Sequence, residues 1–345
     1  MDPTTEDTQP DALEVISEFT VFIPPSIHHE SLISGASYAH YTPIPPLITT
    51  SKDDAPGTEC VLGVDEAGRG PVIGPMVYGA FYLPVELHRS LLAETHHFDD
   101  SKVLTPAVRA RLMKDVCTAG TDLHNACGWA VKSLSARDIG AGMLKNGGSY
   151  NLNAQAMDAT IEIIRKVIDS GVHVTEVYID TIGNPGVYQK KLQRIFPTMK
   201  ITVEKKADSL YPCVSAASVV AKVTRDVSCD VLYQEVMKNT PEASAEEATW
   251  GSGYPSDARC VAWLKNQMDS LFGWGNECRF SWGTIKDMIE IKGSAGVKVD
   301  WPVEDDEDNA CLSDYFLNTN AGSKAASEAD QLRLWFGSNV GQEAF

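Results

Sequence analysis

A mixed α/β fold, one sheet with helices packed against it, is what this sequence predicts, and three observations predict it. Five short runs rich in aliphatic and β-branched residues are spaced through residues 60–204. The early runs are neighbours, which suits antiparallel pairing, whereas the later ones alternate with helical stretches, which suits parallel crossovers. The acidic surplus of the chain is confined to its ends, so the stretch that holds these runs has the charge balance of an ordinary folded domain.

The chain has 345 residues, 29 of them basic and 47 acidic, for a formal net charge of −18. Taken whole, that value argues against a polyanionic partner, because phosphate binding needs a basic surface. Partition removes the argument. Residues 1–59 hold ten acids and one base, Lys52, and residues 300–345 hold ten acids with only Lys324 and Arg333 against them. Residues 60–299 hold 27 acids and 26 bases, and a segment of that size can bury a core as one domain or two small ones. The eight cysteines come no closer than Cys117 and Cys127, so there is no CxxC pair, and reduced core thiols in an intracellular setting are expected. No apolar run approaches the roughly 18 residues of a membrane span. The start, Met-Asp-Pro-Thr-Thr-Glu-Asp, lacks the features of a signal peptide.

In chain order, residues 1–56 are rich in Pro, Thr, Ser and acids, with a cluster at Thr42-Pro43-Ile44-Pro45-Pro46. That composition predicts an acidic, mostly disordered leader, in which 19–23 is at most a short binding segment. Residues 60–65 read as a strand, and a glycine-rich turn leads to a second strand within 72–83. Residues 106–119 suit a helix, with Thr105 as N-cap and Pro106 at the first helical position. Residues 127–131 form a third strand. A helix over 152–170 carries Met157, Ile161, Ile164 and Ile168 at helical spacing and closes at Gly171. A strand over 174–180, a helix over 187–196 and a strand over 199–204 follow, then helices over 211–238 and 256–271. The run Glu304-Asp305-Asp306-Glu307-Asp308 ends the fold, so 57–298 is expected to be the folded domain and 299–345 an acidic, largely disordered tail.

Four acids stand where this pattern would place a site. Asp65 ends the first strand and Glu66 follows it, Asp180 ends the strand after the long helix, and Asp208 precedes the helix opening at Tyr211-Pro212. Carboxylates at strand ends converge in space although distant in sequence. They repel one another unless a cation neutralises them, and hard oxygen donors suit Mg²⁺ or Mn²⁺. Two such ions about 4 Å apart would activate a water on one side of a phosphodiester and stabilise the leaving oxygen on the other. The bland reading is that each Asp is a turn former or a helix cap. Asp65 and Glu66 also point to opposite faces of a continuing strand, a conflict that a bend at Gly68-Arg69-Gly70-Pro71 would relieve. That glycine segment is no dinucleotide loop, because its spacing is GxGxxxG and a strand follows it. It is either a tight hairpin turn or a place where backbone amides approach a sugar or phosphate.

The segment from Gly63 through Val64-Asp65-Glu66-Ala67-Gly68-Arg69-Gly70-Pro71 to Val77 resembles the signature of the type 2 ribonuclease H family. Further similar blocks follow in order: Asp100-Ser101-Lys102, Tyr150-Asn151-Leu152-Asn153, Tyr178-Ile179-Asp180-Thr181 and Lys206-Ala207-Asp208-Ser209-Leu210-Tyr211-Pro212. Beyond these lie Val214 to Lys222, Gly251-Ser252-Gly253-Tyr254-Pro255 and Arg279-Phe280-Ser281-Trp282, so the resemblance spans about 57–292. The Tyr-Asn-Leu-Asn and Ile-Asp-Thr-Ile-Gly forms are similar to those of the catalytic chain of eukaryotic ribonuclease H2 rather than to bacterial enzymes.

The resemblance implies a ribonuclease H-like fold with a five-stranded mixed sheet flanked by helices and a helical C-terminal extension. It implies that Asp65, Glu66, Asp180 and Asp208 hold two Mg²⁺ or Mn²⁺ ions. The Gly68-Arg69-Gly70 backbone and Tyr254 would sense the ribose 2′-hydroxyl at an RNA–DNA junction, since that hydroxyl distinguishes RNA from DNA. Lys102, Lys205 and Lys206 would contact phosphates; unaided, each reads as a solvated lysine. Lys222 and Arg225 could do the same or pair with Asp226 or Glu204. The implied activity is endonucleolytic hydrolysis of RNA in RNA–DNA hybrids and incision 5′ to single ribonucleotides in duplex DNA, leaving 3′-hydroxyl and 5′-phosphate ends. The implied setting is a nuclear heterotrimer with B and C subunits in ribonucleotide excision repair and primer removal, although the sequence shows no clear targeting signal. The rival readings are another two-metal nuclease or nucleotidyl transferase on the same fold, or a catalytically dead hybrid-binding or scaffolding subunit. In the tail, Leu312, Tyr315 and Phe316 have the spacing of a sliding-clamp peptide, but Asn309 stands where glutamine is usual, so docking on an accessory chain of the complex or on the domain is the preferred reading.

Overall fold

The computed structural model describes residues 22–50, 57–98, 104–145, 150–181, 183–238 and 249–290. Its strands are β1 (Tyr38–Tyr41), β2 (Cys60–Ala67), β3 (Met76–Pro84), β4 (Gly128–Leu134), β5 (Val174–Asp180) and β6 (Lys200–Glu204). Its helices are α1 (His29–Ile33), α2 (Pro106–Cys117), α3 (Asp122–Ala126), α4 (Ala136–Met143), α5 (Leu152–Asp169), α6 (Pro185–Ile195), α7 (Pro212–Lys238), α8 (Ala258–Asn266) and α9 (Gly283–Glu290).

The strands form one sheet in the order β1-β4-β3-β2-β5-β6. The β1/β4, β4/β3 and β3/β2 pairs are antiparallel, while β2/β5 and β5/β6 are parallel. The sheet is mixed, as the residue pattern predicts. It has six strands where five were expected. The extra strand comes from the segment read as a disordered leader: β1 pairs along the edge of β4, Tyr38 against Ser133 and Tyr41 against Ala130. Leu32, Tyr38 and Ile48 are buried, and Ser26 Oγ lies 2.8 Å from Thr224 Oγ1 in the interior. The expectation fails over 22–50 because composition averaged across the whole leader conceals three well-placed apolar anchors. Residues 1–21, and the acidic tail 299–345 with its Leu312, Tyr315 and Phe316, lie outside the described residues.

Alternation along β2 builds the two faces. Val61 and Ala67 belong to a core with α2 and α7, whereas Cys60, Leu62 and Val64 belong to a second core with α5 and α6. β3 repeats the division, with Val77, Phe81 and Leu83 on the first face and Met76, Tyr78, Ala80 and Tyr82 on the second. Helix α7 lies so close to the sheet that a Cβ on Gly63 would stand 2.3 Å from the Cys213 carbonyl carbon, and one on Gly79 2.4 Å from the Ala217 oxygen. A third core, containing Trp250, Trp263 and Trp274, joins α8 and α9 to the far half of α7. This is the expected helical C-terminal part of the domain.

The end signals of α2 and α5 hold, whereas the helix expected over 256–271 is shorter, Ala258–Asn266. Thr105 Oγ1 accepts from Val108 N at the start of α2, and Gly171, at φ +99°, closes α5 by donating to Ile168 O (2.8 Å). The buried stripe of α5 is offset from the expected one. Ala156, Ala159, Thr160, Ile163, Ile164 and Val167 are buried, with Met157, Ile161 and Ile168 at its flanks.

Candidate active site

The parallel strands β2 and β5 end side by side, which brings their terminal acids together. Asp65, Glu66 and Asp180 line one open cleft of about 770 Å³ with Gly68, Arg69, Gly70, Tyr254 and Trp282. Asp65 and Glu66 do face opposite sides of β2, which runs straight on through Asp65↔Gly79, Glu66↔Tyr78 and Ala67↔Val77. The expected bend therefore does not reconcile them. Instead the cleft wraps around the strand end, so both faces open into it.

Asp65 is 5% exposed, and its Oδ1 accepts from the Glu66 amide (2.7 Å). Burial first, then the neighbouring Glu66 charge, pushes its carboxyl well above the usual range; a Ser218 hydrogen bond opposes this and Asp180 adds to it. Glu66 lies 3.9 Å from the Arg69 guanidinium. Asp180 Oδ1 accepts from the Ala207 amide (2.9 Å), which ties β5 to the loop after β6. Asp208 departs from the expected grouping. It is buried, its Oδ1 accepts from Ser209 N (3.1 Å), and it lines a neighbouring cavity of about 310 Å³ with Ala93, Phe98 and Tyr211. Three of the four acids thus share the cleft, and the fourth follows directly on the residue bonded to Asp180.

The donor set fits a hard divalent cation, because carboxylate oxygens are its preferred ligands and a cation would relieve the repulsion on buried Asp65. Among the described residues no three His, Cys, Asp or Glu side chains are drawn close enough to form a finished metal centre. The donors surround the cleft without being preassembled.

Gly68 sits at φ +80°, where a side chain is strained, and a Cβ there would meet Pro75 O at 2.6 Å. The turn it permits carries Gly70 against Tyr254: a Cβ at Gly70 would lie 3.1 Å from the Tyr254 ring. Tyr254 itself is exposed. Arg69 bonds Asn153 Oδ1 at the start of α5, and Asn151 caps that helix. A second cavity, about 600 Å³, shares Glu66, Arg69 and Asp180 with the cleft and extends toward Lys191.

Lys205 and Lys206 are exposed on the loop after β6 and do not line the cleft. Lys102 lies outside the described residues. Lys222 does line the cleft, but its Nζ pairs with Asp226 (2.7 Å), as does Arg225 (3.3 Å), so the ion-pair alternative holds for both. Sequence reasoning missed Arg109, a nearly buried arginine of α2 at the cleft wall. Its signal was a cation in register with the buried stripe Leu112, Met113 and Val116.

Known proteins resemble this chain in sequence and in fold. The family profile described as Ribonuclease HII matches residues 62–285. The A subunit of ribonuclease H2 from Neurospora crassa is 55% identical over 334 residues, covering 96% of this chain and 99% of the relative. The human protein of the same name is 40% identical over 268 residues, covering 78% and 85%. Among solved structures, ribonuclease H2 from Pyrococcus horikoshii superposes with a TM-score of 0.52 at 27% identity, covering 66% of this chain and 96% of that one. The ribonuclease HII of Archaeoglobus fulgidus, solved as a complex with PCNA, gives 0.51 at 26% identity, covering 64% and 94%.

Proposed function

The chain belongs to the ribonuclease HII family and is an RNA–DNA hybrid endoribonuclease, one component of a multi-chain ribonuclease H2; from that premise we propose that it also incises 5′ to single ribonucleotides embedded in duplex DNA. The observation that carries this is the common cleft: Asp65, Glu66 and Asp180 open into the same space as the Gly68-Arg69-Gly70 backbone and Tyr254. A group that binds the 2′-hydroxyl there lies within reach of the acids that act on the adjoining phosphate. The Tyr254 ring, half exposed and against Gly70, would stack on the next sugar, where a deoxyribose would fit better than a ribose.

Asp65, Glu66 and Asp180, with Asp208, would hold two divalent cations, Mg²⁺ or Mn²⁺. Such ions supply an activated water and charge stabilisation at the phosphate. The protein's own part is to gather the carboxylates at one cleft, with Arg69 fixed between Glu66 and Asn153 at its rim. In-line attack by water, with the P–O3′ bond breaking and the 3′-oxygen leaving as a hydroxyl, would give 3′-hydroxyl and 5′-phosphate ends. Lys205, Lys206 and Lys102 would steer backbone phosphates toward the cleft. We further propose accessory B and C subunits as partners, a nuclear location, and work in ribonucleotide excision repair and primer removal. The Archaeoglobus relative's complex with PCNA supports a clamp contact, for which Leu312, Tyr315 and Phe316 are the candidate segment.

The test is cleavage, with Mg²⁺ and with and without partner chains, of duplex DNA carrying one ribonucleotide. A cut on its 5′ side is expected. Equal cleavage of all-DNA duplex, or a need for several consecutive ribonucleotides, would overturn the proposal.

A further inference from the structure

Arg279 is fully buried, yet no acidic side chain pairs with it among the described residues. Its guanidinium is spent on main-chain oxygens. Nη2 donates to Gly68 O (2.6 Å), Nη1 to Arg69 O (2.9 Å) and Nε to Gly74 O (3.0 Å). Trp282, three residues on, donates from Nε1 to Gly70 O (3.0 Å), and its ring lies 4.8 Å from the Arg279 guanidinium carbon. All three carbonyls of Gly68-Arg69-Gly70 are therefore taken by one arginine and one tryptophan.

The consequence follows from peptide geometry. These peptides are trans, so each C=O points opposite to the N–H of the same plane. The Gly68 carbonyl shares a plane with the Arg69 amide, and the Arg69 carbonyl with the Gly70 amide. The Gly70 carbonyl shares its plane with Pro71, which has no amide hydrogen. Pinning the carbonyls on Arg279 thus turns the Arg69 and Gly70 amides the other way, on a segment that lines the cleft. Neither amide donates to a protein acceptor among the described residues.

We infer that Arg279 and Trp282 are a positioning pair for ribose recognition, Arg279 by setting the Arg69 and Gly70 amides and Trp282 by holding Gly70 O and the Arg279 guanidinium in place, and that together they determine the enzyme's selectivity for a ribonucleotide junction. Both act through the carbonyls of the loop. A second arginine links the other half of the reader to the same frame: Arg225 Nη2 reaches Ser252 O (3.3 Å), just before Tyr254, and Ile73 O (3.5 Å). A planar guanidinium presents its donors in a fixed, spread fork, whereas an ammonium gathers its three donors at one point on a flexible stem and does not reproduce that spacing.

This inference rests on the junction-reading role proposed above, and the experiment separates the two. The ratio of kcat/KM on a single-ribonucleotide duplex to kcat/KM on a continuous hybrid is measured for Trp282→Phe, Arg279→Lys and Tyr254→Ala. Trp282→Phe keeps an aromatic ring and removes the Nε1 donor, and it carries the test if Arg279→Lys does not fold. The expected result is a ratio lowered by about 5- to 10-fold in Trp282→Phe and about 10- to 100-fold in Arg279→Lys, since small misplacements cost up to about 10²-fold. If both substrates lose activity by the same factor, or neither does, while Tyr254→Ala lowers the ratio, the positioning inference is wrong and the junction reading stands. If Tyr254→Ala also leaves the ratio unchanged, the junction reading itself is wrong.

Discussion

Asp65 holds two opposed demands in one side chain. Its burial, with Glu66 beside it and Asp180 nearby, raises the cost of keeping it ionised. A carboxylate retained there against that cost is a ligand waiting for a cation, and the two properties separate on substitution. Asp65→Asn is expected to abolish cutting, by roughly 10³-fold or more, while hybrid binding survives in a filter or anisotropy assay. The same variant should be more resistant to urea than the parent in the absence of metal, by about 1 kcal/mol, because a repelling charge has gone. Adding Mg²⁺ should then stabilise the parent and not the variant; equal stabilisation of both would remove Asp65 from the ligand set. At this scale the sequence was informative where chemistry is carried by residue type. Asp65, Glu66 and Asp180 could be picked out as acids at strand ends. Whether Lys222 meets substrate or Asp226 could not, because both partners lie one turn apart on α7 and only coordinates show the 2.7 Å pair.

Among the elements, α7 decides the site's position, because it presses Ser218 toward Asp65 and closes one wall of the cleft. Two features fix its seat. Gly63 and Gly79 leave no room for a methyl group against its backbone, so Gly79→Ala should destabilise the domain by about 2–4 kcal/mol through overpacking, read as a lowered urea midpoint with unchanged m-value. The other feature is at the helix start, where His88 Nε2 accepts from the Cys213 amide (3.1 Å). Only the neutral imidazole can accept, and burial, aided by the Arg89 charge, lowers the His88 pKa from 6.5 to about 4. A depressed pKa stabilises the fold fully above 6.5, and that contribution drains away as pH falls toward about 4, because the unfolded chain then binds the extra proton. The parent should lose roughly 1–2 kcal/mol more than His88→Gln across that window, allowing for partial solvent screening; parallel stability curves would refute the cap. The sequence showed α5 and α7 because their helical stretches are long, and β2 to β6 because each is a run rich in aliphatic and β-branched residues. It placed the stripe of α5 off centre because small residues, Ala156 and Ala159, carry the close contact and large ones flank it.

For the whole molecule, the net charge of −18 misleads twice. It suggests a protein that avoids nucleic acid, although the acids concentrate at the ends and the domain between them is almost balanced. It also suggests that the acidic N-terminal stretch is detached, although residues 22–50 complete the sheet. β1 is four residues long, at an edge, and buries only its first side chain, so it has no alternation to detect and depends on β4 for its hydrogen bonds. Its anchorage is tertiary. Tyr38 OH donates to Ser26 O (2.9 Å), Ser26 meets Thr224 on α7, and Ser37 Oγ donates to Asp138 Oδ2 (2.6 Å) at the start of α4. Burying Leu32, Tyr38 and Ile48 contributes about 1.5–3 kcal/mol each. Deleting residues 1–50 should therefore lower the urea midpoint sharply and reduce the m-value, since less surface is buried in the native state. A chain lacking only residues 1–21 keeps every one of these contacts and should unfold at the parental midpoint. If both truncations unfold with the parent, the segment 22–50 contributes nothing to the domain and behaves as the loose leader its composition suggests.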